Sequence, residues 1–342
     1  MNSIQKNGLL TALLLLICTA CASQQVSQRY FFPPPPGDPK LEYVGIYSGT
    51  QDFPGKKNRF LEFFTGKPAY QVFKKPVGLA SGGNGIVYVT DPNHAALIVF
   101  DFNKKTVSTL GTEGLFITPY GITVDKRGWI YVSDTQRNEV YVYNERHKPL
   151  FNLGKGTVNW PTGIAVNDKR ELIYVVNSHG HNVTVYSFKG EYLYSIGKRG
   201  LGKGTFNYPL ALAINSKEEV IVADSINALI QVFSPEGKFL YQFGRRGDSN
   251  MDFELIKGVA VDSEDNIYVS DSKANKVLVF SRSGDPLLRF NGHFFVPPGE
   301  EGPLHGGFIL PAGIAIDKND RIYIADSWNR RFHIYQYLKE KQ

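Results

Sequence analysis

Histidine has the widest chemical reach of any residue type in this chain, which contains seven. His179 and His181 flank Gly180, two positions apart. Imidazoles at that spacing on a turn can meet one metal ion or the edge of a haem; they equally suit a plain solvated turn. His293 and His305 fall in a stretch from Asn291 to Leu310 that also carries Pro297, Pro298, Glu300 and Glu301. His333 alternates with Phe332 and Ile334, the pattern of a strand residue facing one side. Trp328, Arg330 and Arg331 place a ring and two cations within four residues, a combination suited to partner contact. His179, His181, His293, His305, Trp328, Arg330 and Arg331 are therefore the candidates for ligand or partner binding. They do not compose a catalytic centre, and no catalytic residue is named. No cofactor follows from them, and a bound zinc or calcium ion stays open.

Both cysteines, Cys18 and Cys21, lie at the N-terminal end. The body of the chain thus has no disulfide and no cysteine metal site. Leu9 to Ile17 is almost wholly apolar and follows Lys6. That run is short for a bilayer span and has the proportions of a signal-peptide core. Thr19, Ala20 and Cys21 come next. This string resembles the lipobox of bacterial lipoproteins, in which a small residue precedes an acylated cysteine. It departs from the pattern at Cys18, where the family prefers Leu. The resemblance implies removal of residues 1–20 and a lipid on Cys21; a secretory signal cut after Ala20 or Ala22 is the alternative. Residues 21–40 then read as a proline-rich tether, with Pro33 to Pro36 as a semi-rigid polyproline II spacer.

The elements that must position these side chains are written in a repeat. Aromatic residues reach 13% and glycines number 34, which already leans toward strands and tight turns. Six opening strings recur: Pro76-Val77-Gly78-Leu79, Pro119-Tyr120-Gly121-Ile122, Pro161-Thr162-Gly163-Ile164, Pro209-Leu210-Ala211-Leu212, Lys257-Gly258-Val259 and Pro311-Ala312-Gly313-Ile314. Second strands centre on Tyr88, Tyr131, Tyr174, Ile221, Tyr268 and Tyr323; third strands end at Phe100, Tyr143, Tyr186, Phe233, Phe280 and Tyr335. The period is 42 to 48 residues, stretching to 55 before the last unit. Short strands at that period predict propeller blades. An Asp closes the second strand in five units (Asp91, Asp134, Asp224, Asp271, Asp326), and Asn177 takes its place in the third. An acid repeated in five blades is a fold device, expected to accept hydrogen bonds from turn amides.

These strings resemble the NHL repeat over about residues 75–337. The last copy, Ala325-Asp326-Ser327-Trp328-Asn329-Arg330-Arg331-Phe332, is the closest match. The resemblance implies an all-β, six-bladed β-propeller over residues 41–338. The last unit stops after three strands, so Leu41 to Tyr47 is expected to supply the fourth and close the ring. NHL-type amidating lyases, similar in repeat architecture, hold zinc by histidines at the fourth residue beyond the Asp. Here those places hold Ala95, Asn138, His181, Ala228, Asn275 and Arg330, so the histidine triad of that family is missing. The Glu, Asn and Asp site of gluconolactonase-like propellers has no match either. Gly197 to Phe206 has the Gly-rich form of an NHL inter-blade loop; no helix follows it, which argues against nucleotide binding.

The reading is a membrane-anchored, non-catalytic propeller that acts as a protein-interaction or envelope-assembly module. Its expected partner is an envelope protein or peptide. The formal charge of +6 is mild for 342 residues and gives no ground for a nucleic-acid partner. The alternatives are a metal-dependent hydrolase or lyase, and a binder of carbohydrate or cell-wall fragments through Trp129, Trp160 or Trp328. Ala22 and Ser23 follow Cys21, without the Asp that retains lipoproteins at the inner membrane of enteric-type bacteria; the outer membrane of the cell envelope is the expected location. The long stretches Ser48 to Lys75 and Asn291 to Leu310 are the loops expected to carry partner contacts.

Overall fold

The structure is a computed structural model that describes residues 29–34, 36–53, 72–110, 114–291 and 307–339. Six antiparallel sheets stand around one axis. Blade three is representative, with consecutive strands Pro161–Asn167, Leu172–Asn177, Asn182–Ser187 and Tyr192–Ile196. Second strands such as Ile130–Asp134 and Val220–Asp224 are buried at every position. Their Tyr, Val and Ile side chains meet a neighbouring blade on each face, so the sequence runs apolar rather than alternating. Fourth strands, such as Pro149–Leu153, are half exposed because they form the rim.

The sixth blade is closed from the other end of the chain. Leu41–Tyr47 pairs antiparallel with Arg331–Tyr337, from Leu41 opposite Tyr337 to Tyr47 opposite Phe332. The sheet extends further than the sequence predicts. Tyr30–Phe32 adds a fifth strand outside Leu41–Tyr47, and Phe32 packs on Phe290 and Tyr335. The boundary expected at residue 40 falls inside this hairpin. The described prolines form no spacer. They lie in the connection between the two strands, where the Gly37 amide donates to the Pro34 carbonyl at 3.1 Å. The aromatic face of Tyr30–Phe32 gains more from packing on the blade than from solvent.

The blades meet most tightly at the axis. A Cβ on Gly121 would lie 2.0 Å from the Thr162 carbonyl of the next blade; on Gly78 it would lie 2.3 Å from the Tyr120 carbonyl, and on Gly313 2.4 Å from that of Val77. Glycine is required here for close approach of backbone. Hydroxyls pin the same seams. Thr90 Oγ1 accepts from the Gly78 amide at 2.8 Å and donates to the Tyr120 carbonyl at 2.6 Å. Ser133 repeats both bonds with Gly121 and Thr162. Ser270 donates to the Ala312 carbonyl. Blades four and six hold Ala223 and Ala325 at this place, and the hydroxyl comes from two residues later: Ser225 donates to Ile256 and Ser327 to Pro76.

The recurrent acids tie turns to blade entrances. Asp134 accepts from the Ile117 and Thr118 amides before its own first strand, and from Gln136 and Arg137 in its turn. Asp91 does the same with Lys74, Lys75, Asn93 and His94. Asn177 keeps one amide from each side, Asn159 and Gly180. In blade six, Asp326 accepts from Ile309, from Arg331 Nε at 2.8 Å and from His333 Nε2 at 3.0 Å. His333 is fully buried among Tyr43, Phe308 and Tyr335, and its Nδ1 has no hydrogen-bond partner. Burial holds its pKa below the ordinary 6.5, against the opposing pull of Asp326. Asp326 lies below its ordinary value; burial, the largest single influence, acts to raise it and is outweighed by the hydrogen bond and charge of His333 together with the hydrogen bonds from Ile309 and Asn329.

Two measurements test this account. Gly121→Ala should lower unfolding stability by about 3 kcal/mol, the upper range for overpacking. Ala211, already at that place in blade four, should accept Gly with a much smaller change. Thermal or urea melts of both variants decide it, and equal effects would break the seam argument. The second measurement concerns acid. A folded pKa below 6.5 means that the unfolded chain takes up a proton first as pH falls, so His333 withdraws stability below about pH 6.5. Wild type should therefore lose more melting temperature between pH 7 and pH 5 than His333→Gln, which keeps a donor for Asp326. Asp224, pushed up to about 6 by burial, acts in the opposite direction in both proteins and cancels in the comparison.

Candidate functional site

We call the upper face the one that carries the turns between second and third strands together with the inter-blade loops. First strands start at this face, and their opening strings line the central channel. Six apolar side chains, Leu79, Ile122, Ile164, Leu212, Val259 and Ile314, form a girdle across the channel; each is under 9% exposed. Below the girdle lies a cavity of about 250 Å³ with Ser81, Thr123 and Asp168 on its wall. Above it lies a cup of about 70 Å³ that opens to the upper face.

The cup has one charged lining side chain, Lys257. It occupies the slot before the blade-five glycine, and the residue ahead of it is Ile256, where other blades have Pro. Burial alone pulls its ammonium below the ordinary 10.5. Among the described residues it has no hydrogen-bond or ion-pair partner. Tyr120 fills the equivalent slot in blade two, on the opposite side of the six-fold ring. Its hydroxyl is pushed up to about 12 by burial, so it stays protonated and can donate. The other lining side chains are apolar, among them Val77 and Leu210. A cation, a hydroxyl donor and an apolar floor make an acceptor for an anionic group on an apolar body.

The rim is apolar and aromatic. Trp160 stacks on His179, with centroids 4.8 Å apart and planes 9° off parallel. Tyr208 stands edge-on to His179 at 5.7 Å and to His181 at 4.5 Å. Trp160 and Tyr208 directly precede the first strands of blades three and four, and both have positive φ, +61° and +50°. Ile117, Ile226 and Leu310 are exposed on the same face, and Trp328 is 68% exposed at the tip of the blade-six turn.

The sequence candidates separate on this geometry. His179 and His181 do share one turn. The Tyr208 amide donates to His181 Nδ1 at 3.1 Å, so that nitrogen is already used. His181 is buried, and burial, helped by Arg199 and His179, holds its pKa below 6.5. The same role recurs around the ring: Asn138 accepts from the Trp160 amide at 2.7 Å, and Asn275 from Leu310 at 2.8 Å. All six residues at the fourth place beyond the Asp have φ between +50° and +56°. In blades two, three and five the side chain at this position caps the next blade. Arg331 donates to Asp326 and to the Gly307 carbonyl, so its guanidinium is engaged within blade six. Arg330 and Trp328 remain on the upper face. Trp129 is a packing residue: the Arg127 guanidinium sits 3.7 Å above its ring, with Phe188 4.3 Å from the same cation. Cys21, His293 and His305 lie outside the described residues, as do 54–71 and 292–306 of the two long loops. No group of three metal-binding side chains occurs among the described residues. Sequence reasoning missed Lys257 and Tyr120. The signal was present in the blade-five string, where Lys stands before Gly and Pro is lost.

Comparison with known proteins agrees with this architecture. Residues 215–294 match the family DUF5128, described as a 6-bladed beta-propeller, and residues 308–335 match the NHL repeat. No curated protein matches the sequence. A protein of unknown function from Bacteroides thetaiotaomicron is similar in structure, with a TM-score of 0.67 at 19% identity over 87% of this chain and 75% of the other. An auxiliary nutrient binding protein from the same organism gives 0.59 at 15% identity, over 78% and 70%. Virginiamycin B lyase from Staphylococcus aureus gives 0.57 at 14%, over 78% and 96%. At these identities the likeness concerns fold alone. The chain is a six-bladed β-propeller whose residues 308–335 match the NHL repeat.

Proposed function

We propose that this propeller is a non-catalytic, lipid-anchored interaction module of the bacterial envelope, and that it engages a protein or extended peptide through its upper face. Propellers of similar fold include a lyase and a nutrient binding protein, so fold does not decide between chemistry and binding. The residues favour binding. Three of the six places that hold zinc histidines in amidating lyases are used here to cap the next blade, through Asn138, His181 and Asn275. The observation that carries the reading is the apolar and aromatic rim around the cup: Ile117, Trp160, Tyr208, Ile226, Leu310 and Trp328. Exposed rings and aliphatic groups on a rigid frame supply contact area at little entropic cost. A lipid on Cys21 would hold the disc at the outer membrane, where its partner is met.

Site-specific photo-crosslinking in the native cell tests this. A photoreactive residue at Trp328 or Tyr208 should give a discrete protein adduct. The same residue at Lys189, on the opposite face, should give none. Cys21→Ser should lose both membrane partition and the adduct. Adducts of equal yield from both faces, or none from the upper face, would refute an upper-face partner.

A further inference from the structure

We infer that the cup at the upper mouth of the channel is a carboxylate-binding site, with Lys257 and Tyr120 as its recognition pair. The inference rests on the proposed binding role and names the chemistry that this face would read.

Lys257 is an ammonium held against an apolar wall with no carboxylate beside it among the described residues. Lys257 is half-buried, and a cation removed from water without a counter-charge is destabilising; an anion in the cup would complete it. Tyr120 faces the channel from the opposing blade and keeps its proton at neutral pH. A carboxylate between the two would accept an N–H from one side and an O–H from the other. Size narrows the class further. About 70 Å³ admits a carboxylate and the first atoms behind it, and the girdle of Leu79, Ile122, Ile164, Leu212, Val259 and Ile314 stops anything deeper. Phosphate esters would bring a second charge that no lining residue meets. Outside the cup, the Trp160 and Tyr208 rings offer a platform for an apolar body. The ligand is thus a monoanionic carboxylate on an apolar body: the free C-terminus of a peptide, or a small organic acid.

Lysine reactivity reads this directly, because a Lys with lowered pKa has more free amine at pH 8. The full-length lipoprotein in detergent is acetylated with an N-hydroxysuccinimide ester, and Lys257 is quantified against Lys273 by mass spectrometry. The probes are acetyl-Ala-Ala-Leu-Phe with a free carboxylate, the same peptide as its amide, and hexanoate. Lys257 should be acetylated faster than Lys273. The free-acid peptide should protect it and the amide should not. Protection stronger with the peptide than with hexanoate assigns a chain terminus; the reverse assigns a small acid. Lys257→Met should weaken binding of the free-acid probe at least about tenfold, and Tyr120→Phe about threefold. The melting temperature of Lys257→Met should be equal or higher, which separates lost binding from unfolding. Protection by neither acid, equal protection by the amide, or undiminished binding by Lys257→Met would each overturn the site. The crosslinking experiment is independent, since a partner seated on the rim gives adducts whether or not the cup is filled.

Discussion

Everything in this molecule depends on how closely neighbouring first strands approach at the axis. A six-blade ring closes only if each inner strand can nearly touch the next. That demand removes the side chain at Gly78, Gly121, Gly163, Gly258 and Gly313. It also places a hydroxyl from the second strand, or from the turn after it, against the neighbour's carbonyl. Burying a carbonyl at such a seam without a donor would cost about 1–3 kcal/mol each. The two solutions for the hydroxyl show the constraint acting through position rather than residue: Ala223 and Ala325 are tolerated because Ser225 and Ser327 reach the same atom class. Blade three departs most. It has Val176 in the hydroxyl slot and Asn177 for Asp, and it contains three of the buried polar atoms left unpaired, on Thr162, Asn182 and Thr184.

Much of this was legible in the amino-acid sequence because the repeat spells out local geometry six times. The blade count, the strand centres and the amide-binding role of the acids follow from period and residue type. The closing strand was visible from the likeness of Leu41 to Tyr47 to other fourth strands. What repetition cannot reveal is anything that happens once. Tyr30–Phe32 has no counterpart in other blades, and its proline neighbours suggest a linker. Trp129 fits sugar stacking or packing equally on sequence, and Arg127 lying on its ring decides for packing. His181 reads equally as a ligand or as a solvated turn residue, because residue type alone suggests both. Only the backbone conformation at that place, left-handed in every blade, reveals a cap. Lys257 is the converse case, a departure from the repeat that carries meaning because the repeat is otherwise obeyed.

The same scaffold explains where binding chemistry can reside. Second and third strands are packed on both faces and have little freedom to vary. The turns, the residues that enter each blade and the slot before each glycine are held rigidly by bonds to backbone, so their side chains are free to differ. Val77, Tyr120, Leu210 and Lys257 occupy one equivalent slot and range from aliphatic to phenolic to cationic. Positions fixed by main chain and open in side chain are what a recognition surface needs, because geometry is kept while specificity changes.

The outer hairpin of blade six has a mechanical consequence. Tyr30–Phe32 is joined to the disc through three residue pairs, Tyr30 with Tyr43, Phe31 with Glu42 and Phe32 with Leu41, and through the Arg29 pair with Glu42. Leu41–Tyr47 behind it holds six pairs to Arg331–Tyr337. A load applied to the chain ahead of Arg29 reaches the short strand first and strips it pair by pair. The longer strand that locks the ring is strained only after that slack has run out. The short strand, and not the strand that closes the ring, is thus the element next to the N-terminal chain, and any pull from that side meets three residue pairs before it meets the six of the closure.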